Sequence, residues 1–188
     1  MLPILLLFSC LLSNNSQPLY YYTGTPEKIF ALGKPYNSGV WEEVPLIKVC
    51  RELNISTTRV QIAIAYWRNM GYEFHDVIFD YDSIECMGDY YGSDIIITSA
   101  DQSLQEDHLA ATRTSVNTRT GHIVKAKIFI RQKDVNRPRV LEHELGHALG
   151  WKHYSQILHI MHPEWESGGY QNYGVTRAQQ RKNYGILK

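Results

Sequence analysis

The chain has 188 residues, 44% of them hydrophobic, and its 19 Lys and Arg residues balance its 19 Asp and Glu residues. This length suits one domain with a substantial core and leaves no room for a second large domain. The balanced charge gives no electrostatic reason to expect a nucleic acid or an anionic membrane surface as the partner, so the partner must be inferred from the site. We expect the protein to be a monomer.

The chain begins with an apolar run, Met1 to Ser13, that is too short to span a bilayer as a mature helix but suits the central region of a signal peptide. We interpret residues 1–16 as an export signal, which predicts a secreted, extracellular or periplasmic protein. Leu7-Phe8-Ser9-Cys10 also resembles a bacterial lipoprotein cleavage site, and Cys10 would then carry the lipid and attach the protein to a membrane. An uncleaved anchor and a buried strand are the remaining alternatives.

The next stretch, residues 17–36, is rich in turn-forming residues and shows no period. It predicts an N-terminal linker or a short wrapping segment before one folded domain over residues 37–188. Val44 to Val49 is largely apolar, as expected of a strand buried on both faces. Ser56 is a plausible N-cap. After it, apolar residues recur at three- and four-residue intervals and predict a helix that ends at Met70-Gly71.

Further strands and helices complete an α/β pattern. The additional predicted strands are Tyr72 to Phe79, Asp94 to Thr98, and Ala126 to Ile130 with residues 121–125 before it. The additional predicted helices start at Asn136 to Leu141, with Pro138 in the first turn, and at Thr176, the latter running to Tyr184-Gly185. This succession predicts a mostly parallel sheet of about five strands with about three helices.

Three cysteines are too few for a disulfide scaffold. Removal or lipidation of Cys10 would leave Cys50 and Cys86, which could form a disulfide in an oxidising compartment. Two buried free thiols are the equal alternative. Neither cysteine has a second cysteine or a histidine near it at metal-ligand spacing.

Residues 143–153 read His-Glu-Leu-Gly-His-Ala-Leu-Gly-Trp-Lys-His. On a helix, His143 and His147 lie one turn apart on one face and can aim two imidazoles at one point. Gly150 can adopt a positive φ and end the helix, so that His153 approaches from another direction. Three protein ligands with an open fourth position are typical of catalytic zinc.

Glu144 follows the first histidine and is rotated away from the ligand face, so we expect it beside the metal and not bound to it. A carboxylate there can take a proton from a zinc-bound water as the water attacks a carbonyl, and can pass that proton to the leaving amine. The pattern therefore predicts metal-assisted hydrolysis of an amide, with Glu144 as the general base.

The extended motif, followed by Met161 in His-Ile-Met-His-Pro, resembles the metzincin family of zinc peptidases. The resemblance implies a zinc cleft between two subdomains, with Met161 in a tight turn beneath the metal, and a sheet with an antiparallel edge strand. Pro163, two residues after Met161, resembles matrixins, whereas Tyr154 after the third histidine matches none of the better-known groups. We therefore interpret residues 37–188 as a matrixin-like catalytic domain.

In metzincins the strand before the zinc helix is the antiparallel edge strand that lines the cleft. The resemblance therefore implies that Val124, Ala126 and Ile128 present a sheet edge to which an extended peptide substrate adds as a further strand. An ordinary edge strand protected by its lysines and Arg131 is the alternative. Either Tyr170 or Tyr173 is a candidate hydrogen-bond donor to the tetrahedral oxyanion, against packing in the cleft wall.

The predicted function is that of an exported zinc metalloendopeptidase acting on extended polypeptide. A non-catalytic zinc-containing binding module with the same fold is the alternative, and the presence of Glu144 argues against it. One catalytic Zn²⁺ is the expected cofactor, and Ca²⁺ is an additional candidate. His75, His108 and His122 are expected to be surface or hydrogen-bonded histidines in preference to ligands of a second zinc.

Overall fold

The computed structural model describes residues 33–88, 92–100, 104 and 108–183, together with the backbone of Leu19–Tyr21. The predicted export signal at residues 1–16 and the candidate lipidation site Cys10 lie outside the described residues. Within the described part of the chain, no helix combines the length and the apolar character that crossing a bilayer requires.

One mixed sheet forms the centre of the molecule. Its strands are β1 (Leu19–Tyr21), β2 (Val40–Trp41), β3 (Leu46–Cys50), β4 (Val77–Tyr81), β5 (Asp94–Ser99), β6 (Ala110–Val116) and β7 (His122–Ile130). The order across the sheet is β1-β6-β7-β5-β3-β4, and the short β2 pairs with one end of β7. Strands β4, β3, β5 and β7 run parallel, whereas β6 is antiparallel to β7 and β1 is antiparallel to β6.

In the described part of the chain, four helices accompany the sheet. They are α1 (Thr57–Arg68), α2 (Ile84–Met87), α3 (Val140–Ala148) and α4 (Arg177–Asn183). Helix α1 begins as expected, because the Ser56 hydroxyl accepts a hydrogen bond from the Arg59 amide at 3.1 Å. The α/β class with a mostly parallel sheet and an antiparallel outer strand is thereby confirmed, and it is consistent with a metzincin-like fold.

Helices α1 and α3 are joined by hydrogen bonds in the core. Trp67 is fully buried and its indole Nε1 donates to the Glu142 carbonyl oxygen at 2.7 Å. The Glu142 carboxylate accepts two hydrogen bonds from the Arg59 guanidinium, at 2.9 and 2.5 Å. Burying that carboxylate without its partner would be costly, so the pair fixes where α3 lies.

Two predicted element boundaries are wrong. The strand expected from Tyr72 starts only at Val77, and Tyr72 is buried in the preceding loop. Helix α3 starts at Val140 and not within residues 136–139, because Arg139 has a left-handed backbone with φ of 69°. Pro138 therefore precedes the helix and is not in its first turn.

The expected edge strand is an interior strand. Residues 124–130 belong to β7, which pairs with β5 on one side and with β6 on the other. The backbones of Val124, Ala126 and Ile128 therefore lie inside the sheet, and an added peptide strand cannot pair with them. The strand that lines the cleft is β6, and its outer side is paired with β1 over Arg113 to Ser115.

Within residues 17–36, the predicted linker or wrapping segment, Leu19–Tyr21 forms β1 of the sheet. Sequence pattern alone could not reveal this strand, since its three residues are flanked by turn-forming residues and its pairing partner lies about ninety residues away, at Arg113 to Ser115.

Cys50 and Cys86 are joined by a disulfide, which decides between the two alternatives left open by the sequence. The bond links the end of β3 to α2, 36 residues apart.

Candidate metal centre

Three histidines converge at the end of α3. His143 and His147 project from the helix one turn apart, and the chain then turns at Gly150, whose φ is 95°. A Cβ at Gly150 would lie 2.4 Å from the Gly39 carbonyl oxygen, so both the backbone conformation and the space require glycine. The turn brings His153 back towards the helix, as the spacing predicted.

The distances between the ring nitrogens fit a single small ion. His143 Nε2 lies 3.0 Å from His147 Nε2 and 3.3 Å from His153 Nε2. Two nitrogens bound to one tetrahedral zinc at about 2.0–2.1 Å are about 3.3–3.4 Å apart. The three nitrogens can therefore share one Zn²⁺ after shifts of a few tenths of an ångström.

The opposite ring nitrogens fix the protonation of two of these rings. His143 Nδ1 donates to the Ile160 carbonyl at 2.8 Å, and His147 Nδ1 donates to the Trp151 carbonyl at 2.7 Å. A carbonyl oxygen can only accept, so each Nδ1 carries the proton and each Nε2 of the neutral ring presents a lone pair. Two lone pairs facing each other at 3.0 Å repel, and a cation between them removes that repulsion, so these residues fit a metal ion.

Burial keeps all three rings neutral. It lowers the pKa of His143 to about 4 and the pKa of His153 to about 3, and it lowers the pKa of His147 well below the ordinary value of 6.5. Neutral imidazole is the form that binds a metal. The site is therefore in its ligand form at neutral pH without any loss of protons.

Glu144 lies beside the histidines and is buried, with 6% of its surface exposed. Burial raises its pKa to about 7, and a hydrogen bond from Thr112 opposes that rise. The Thr112 Oγ1 lies 2.5 Å from Glu144 Oε2. A carboxyl group with a pKa near 7 can both take up and release a proton near neutral pH.

Met161 is fully buried under α3. A Cβ built on Gly146 would lie 2.4 Å from the Met161 Sδ, so the glycine between the two helical histidines permits this close contact. The preceding residue, Ile160, supplies the carbonyl that His143 binds. The segment around Met161 therefore packs against α3, and its Ile160 carbonyl orients His143, one of the three candidate ligands.

The histidines and Glu144 open into a cavity of about 440 Å³. One wall is formed by residues 108–112 at the start of β6, and another by α3. The loop after Met161 forms a third wall, with Pro163, Glu164, Trp165 and Gly168. Arg139 also lines the cavity. The cavity is large enough to hold a peptide segment next to Glu144.

Several predicted site residues lie elsewhere. Val124, Ala126 and Ile128 are in the interior strand β7 and do not line the cavity. Tyr170 packs on Tyr66, and Tyr173 packs on Tyr154 and His159. Neither tyrosine lines the cavity, so the position of neither supports a role as oxyanion donor.

Other candidate ligands do not form a second histidine cluster within the described residues. The further group that brings metal-ligating side chains together there is Cys50, Glu52 and Cys86, and its two cysteines are consumed by the disulfide. His108 lines the cavity, and His122 lies 3.5 Å from the exposed Glu42 carboxylate. No observation supports Ca²⁺ in the described part of the chain.

Thr112 and the carbonyl groups of Ile160 and Trp151 belong to the site, although no sequence pattern points to them. A threonine in a strand, or the carbonyl of Ile160 or Trp151, has no local sequence signature. Their roles depend on which segments the fold brings next to α3. Of the three, the Trp151 carbonyl is the one that sequence could best have indicated. It lies four residues after His147, in the turn that Gly150 makes.

No family model matches the chain, and no curated protein matches it. Among solved structures, the chain is similar to metalloproteinase-II from Bacteroides fragilis, with a TM-score of 0.44 and 11% sequence identity. The similarity covers 82% of this chain and 58% of that chain, so this chain matches little more than half of the other protein's length. A likeness at this level carries no inference about function.

Proposed function

We propose that the protein is a zinc-dependent endopeptidase of the metzincin, matrixin-like type, which hydrolyses peptide bonds of extended polypeptide. The observation that carries this proposal is the convergence of three neutral imidazoles beside a buried carboxylate in an open cavity. The Nε2 atoms of His147 and His153 lie within 3.3 Å of His143 Nε2. Met161 and Pro163 add to the resemblance.

In the proposed reaction, the metal ion would supply Lewis acidity and the protein would supply the group that transfers protons. A zinc ion in this site would supply Lewis acidity, which polarises carbonyl groups and lowers the pKa of water to about 7. Glu144 takes one proton from the attacking water as the new carbon–oxygen bond forms. It then gives that proton to the amide nitrogen as the carbon–nitrogen bond breaks, so the products are a carboxylic acid and an amine.

The proposed substrate is an extended polypeptide because of what borders the cavity. Residues 108–112 at the start of β6 form one wall, and a strand edge can hold a peptide through backbone hydrogen bonds. We place the substrate along this part of β6 and no longer along β7. The register of β1 with Arg113 to Ser115 shows that an antiparallel strand fits this side of β6.

Export is part of the same proposal. The disulfide between Cys50 and Cys86 supports folding in an oxidising compartment, where such bonds persist. This fits a secreted or periplasmic peptidase, with attachment through Cys10 as the alternative.

The test is cleavage of a quenched-peptide library by the purified protein, with its zinc content measured in parallel. We expect one zinc per chain, and cleavage that stops with a chelator and returns with added Zn²⁺. Glu144→Ala should keep the zinc and lower kcat by roughly 10²- to 10⁴-fold, because it removes the general base.

The matched control is Glu166→Ala, which removes an exposed carboxylate from the loop after Met161. Glu166 does not itself line the cavity. It should retain activity within about twofold. If wild type and Glu144→Ala both bind zinc and neither cuts any peptide, the protein is a metal-holding module and the peptidase proposal is wrong.

A further inference from the structure

We propose that Thr112 is a positioning residue for the reaction proposed above: its hydroxyl holds one carboxylate oxygen of Glu144 and thereby aims the other at the substrate. The inference rests on the proposed function of Glu144 as the base. The juxtaposition that carries it is a buried threonine on the cavity-lining strand β6, hydrogen-bonded to the buried base on α3.

The contact is short and sealed from bulk solvent. Thr112 Oγ1 lies 2.5 Å from Glu144 Oε2 and 3.1 Å from the Glu144 main-chain oxygen. Thr112 is 2% exposed and Glu144 is 6% exposed. A buried carboxylate oxygen without a hydrogen bond is costly, so this hydroxyl sets the rotamer that Glu144 adopts.

The two carboxylate oxygens are not equivalent. Oε2 is bound to Thr112, whereas Oε1 accepts no hydrogen bond from any residue that the structure describes. Glu144 lines the cavity, so Oε1 is the oxygen that substrate and water can reach. Fixing Oε2 therefore decides which oxygen acts as the base and where it points.

The single hydroxyl proton can serve Glu144 both before and after it takes up a proton. When the carboxylate is ionised, the proton of Thr112 goes to Oε2, the closer acceptor. When Oε1 takes up the proton, Oε2 keeps its lone pairs and continues to accept the hydrogen bond from the same hydroxyl. The side chain of Glu144 thus keeps its position through the proton transfers of one turnover.

The strand is a firm support for this contact. Thr112 sits in the middle of the β6–β7 ladder, opposite Ile128, which is fully buried. The same part of β6 borders the cavity at residues 108–112. One strand therefore lines the place of the substrate and also orients the base.

The experiment compares Thr112→Val, which keeps the shape but removes the hydroxyl, with Thr112→Ser, which keeps the hydroxyl. We expect Thr112→Val to lower kcat roughly 10- to 100-fold, as loss of a supporting hydrogen bond does in metal sites, with KM within about twofold and unchanged zinc content. Thr112→Ser should recover most of kcat. Thr114→Val is the matched control, because Thr114 is buried on the same face of β6 and makes no hydrogen bond to Glu144.

Two results would overturn the inference while leaving the peptidase intact. One is a Thr112→Val enzyme with wild-type kcat. The other is a Thr112→Ser enzyme that is as impaired as Thr112→Val, since the loss would then come from packing and not from the hydroxyl.

A second measurement decides the inference even if the wild type cuts no peptide. Thr112→Val should lower the midpoint of thermal unfolding by roughly 3 °C or more beyond what it does in a Glu144→Ala background. Only when Glu144 is present does this substitution leave a buried carboxylate without its donor. Equal shifts in the two backgrounds would show that Thr112 and Glu144 are not coupled, and the inference would be wrong.

Discussion

His159 is held by hydrogen bonds on both sides of its ring. Its Nδ1 accepts from the Met161 amide at 3.1 Å, and its Nε2 donates to the Tyr173 carbonyl at 3.1 Å. Accepting at Nδ1 requires the neutral ring. The ring is 0% exposed and is enclosed by the rings of Tyr154 and Tyr173. This histidine therefore pins the segment of Met161 beneath the metal centre.

Neutral His159 predicts a loss of stability in acid. Burial, together with the nearby charge of His162, lowers the pKa of His159 below 6.5. Between these two pKa values the unfolded chain binds a proton at His159 and the folded chain does not. The free energy of unfolding is therefore unaffected by His159 above about pH 6.5 and falls as the pH drops from there to the folded pKa. The loss is at most about 1.4 kcal/mol per pH unit.

The measurement is the free energy of unfolding in urea at about pH 7.5 and about pH 5.5, on chelated protein, for wild type and His159→Gln. Gln can still donate to the Tyr173 carbonyl but does not titrate. We expect the wild type to lose more stability than the variant between the two pH values. Equal losses would assign the acid sensitivity to other groups, such as the three ligand histidines.

At the scale of elements, the contact between α3 and the Met161 segment depends on Gly146. A Cβ there would lie 2.4 Å from Met161 Sδ and 2.7 Å from Trp67 Cζ2. Trp67 is fully buried and rigid, so the neighbours cannot both give way. Gly146 is thus required by packing although it lies in the middle of a helix.

Gly146→Ala should therefore destabilise the fold in spite of the better helix propensity of alanine. The steric cost of overpacking is about 1–3 kcal/mol, against a gain of about 1 kcal/mol from propensity. Zinc affinity should fall as well, because displacing the Met161 segment moves the Ile160 carbonyl that orients His143. Thermal unfolding and zinc titration measure the two effects.

The control for this substitution is Gly88→Ala, where the nearest atom to a new Cβ is the Ile84 carbonyl oxygen at 3.6 Å. It should change stability by less than about 0.5 kcal/mol. Indistinguishable behaviour of the two variants would mean that α3 and Met161 adjust to each other more freely than the packing implies.

The elements that the sequence could predict are those with a local signature. The period of apolar residues located α1, Ser56 marked its start, and the histidine spacing with Gly150 defined the metal centre. The order of strands in the sheet has no such signature. The apolar run at Ile128 to Ile130 is equally compatible with an interior strand and a protected edge. Only the family resemblance implies an edge position beside the cleft for this strand, and in the structure β6 lines the cleft. Thr112 was missed for the same reason, since its importance arises from tertiary contact alone.

For the molecule as a whole, the disulfide joins the end of β3 to α2, two elements that the ion pair of Lys48 and Glu85 also links. Removing it with Cys50→Ala and Cys86→Ala should lower the free energy of unfolding by about 4 kcal/mol, from the 36-residue separation of the two cysteines. Neither cysteine lines the cavity, so zinc binding at saturating metal should persist. Chemical denaturation measures the loss.

Reduction of the wild type supplies the control for the disulfide variant. It should reproduce the loss of stability, and the same reductant should leave the double variant unchanged. Titration of two free thiols at Cys50 and Cys86 in protein isolated under oxidising conditions would contradict the bond.

Strand β1 places Leu19–Tyr21 on the outer side of β6, opposite Arg113 to Ser115. A long ligand that extends along β6 past Thr112 must displace Leu19–Tyr21 from β6. Because these residues are part of the same chain, they compete with the ligand at an effective concentration on the order of millimolar. A short ligand confined to the stretch beside residues 108–112 meets no such competitor at Arg113 to Ser115. If the proposed peptidase holds its substrate along β6, Leu19–Tyr21 competes with the far end of a long substrate, and removing these residues by proteolysis should widen the range of substrate lengths that bind well.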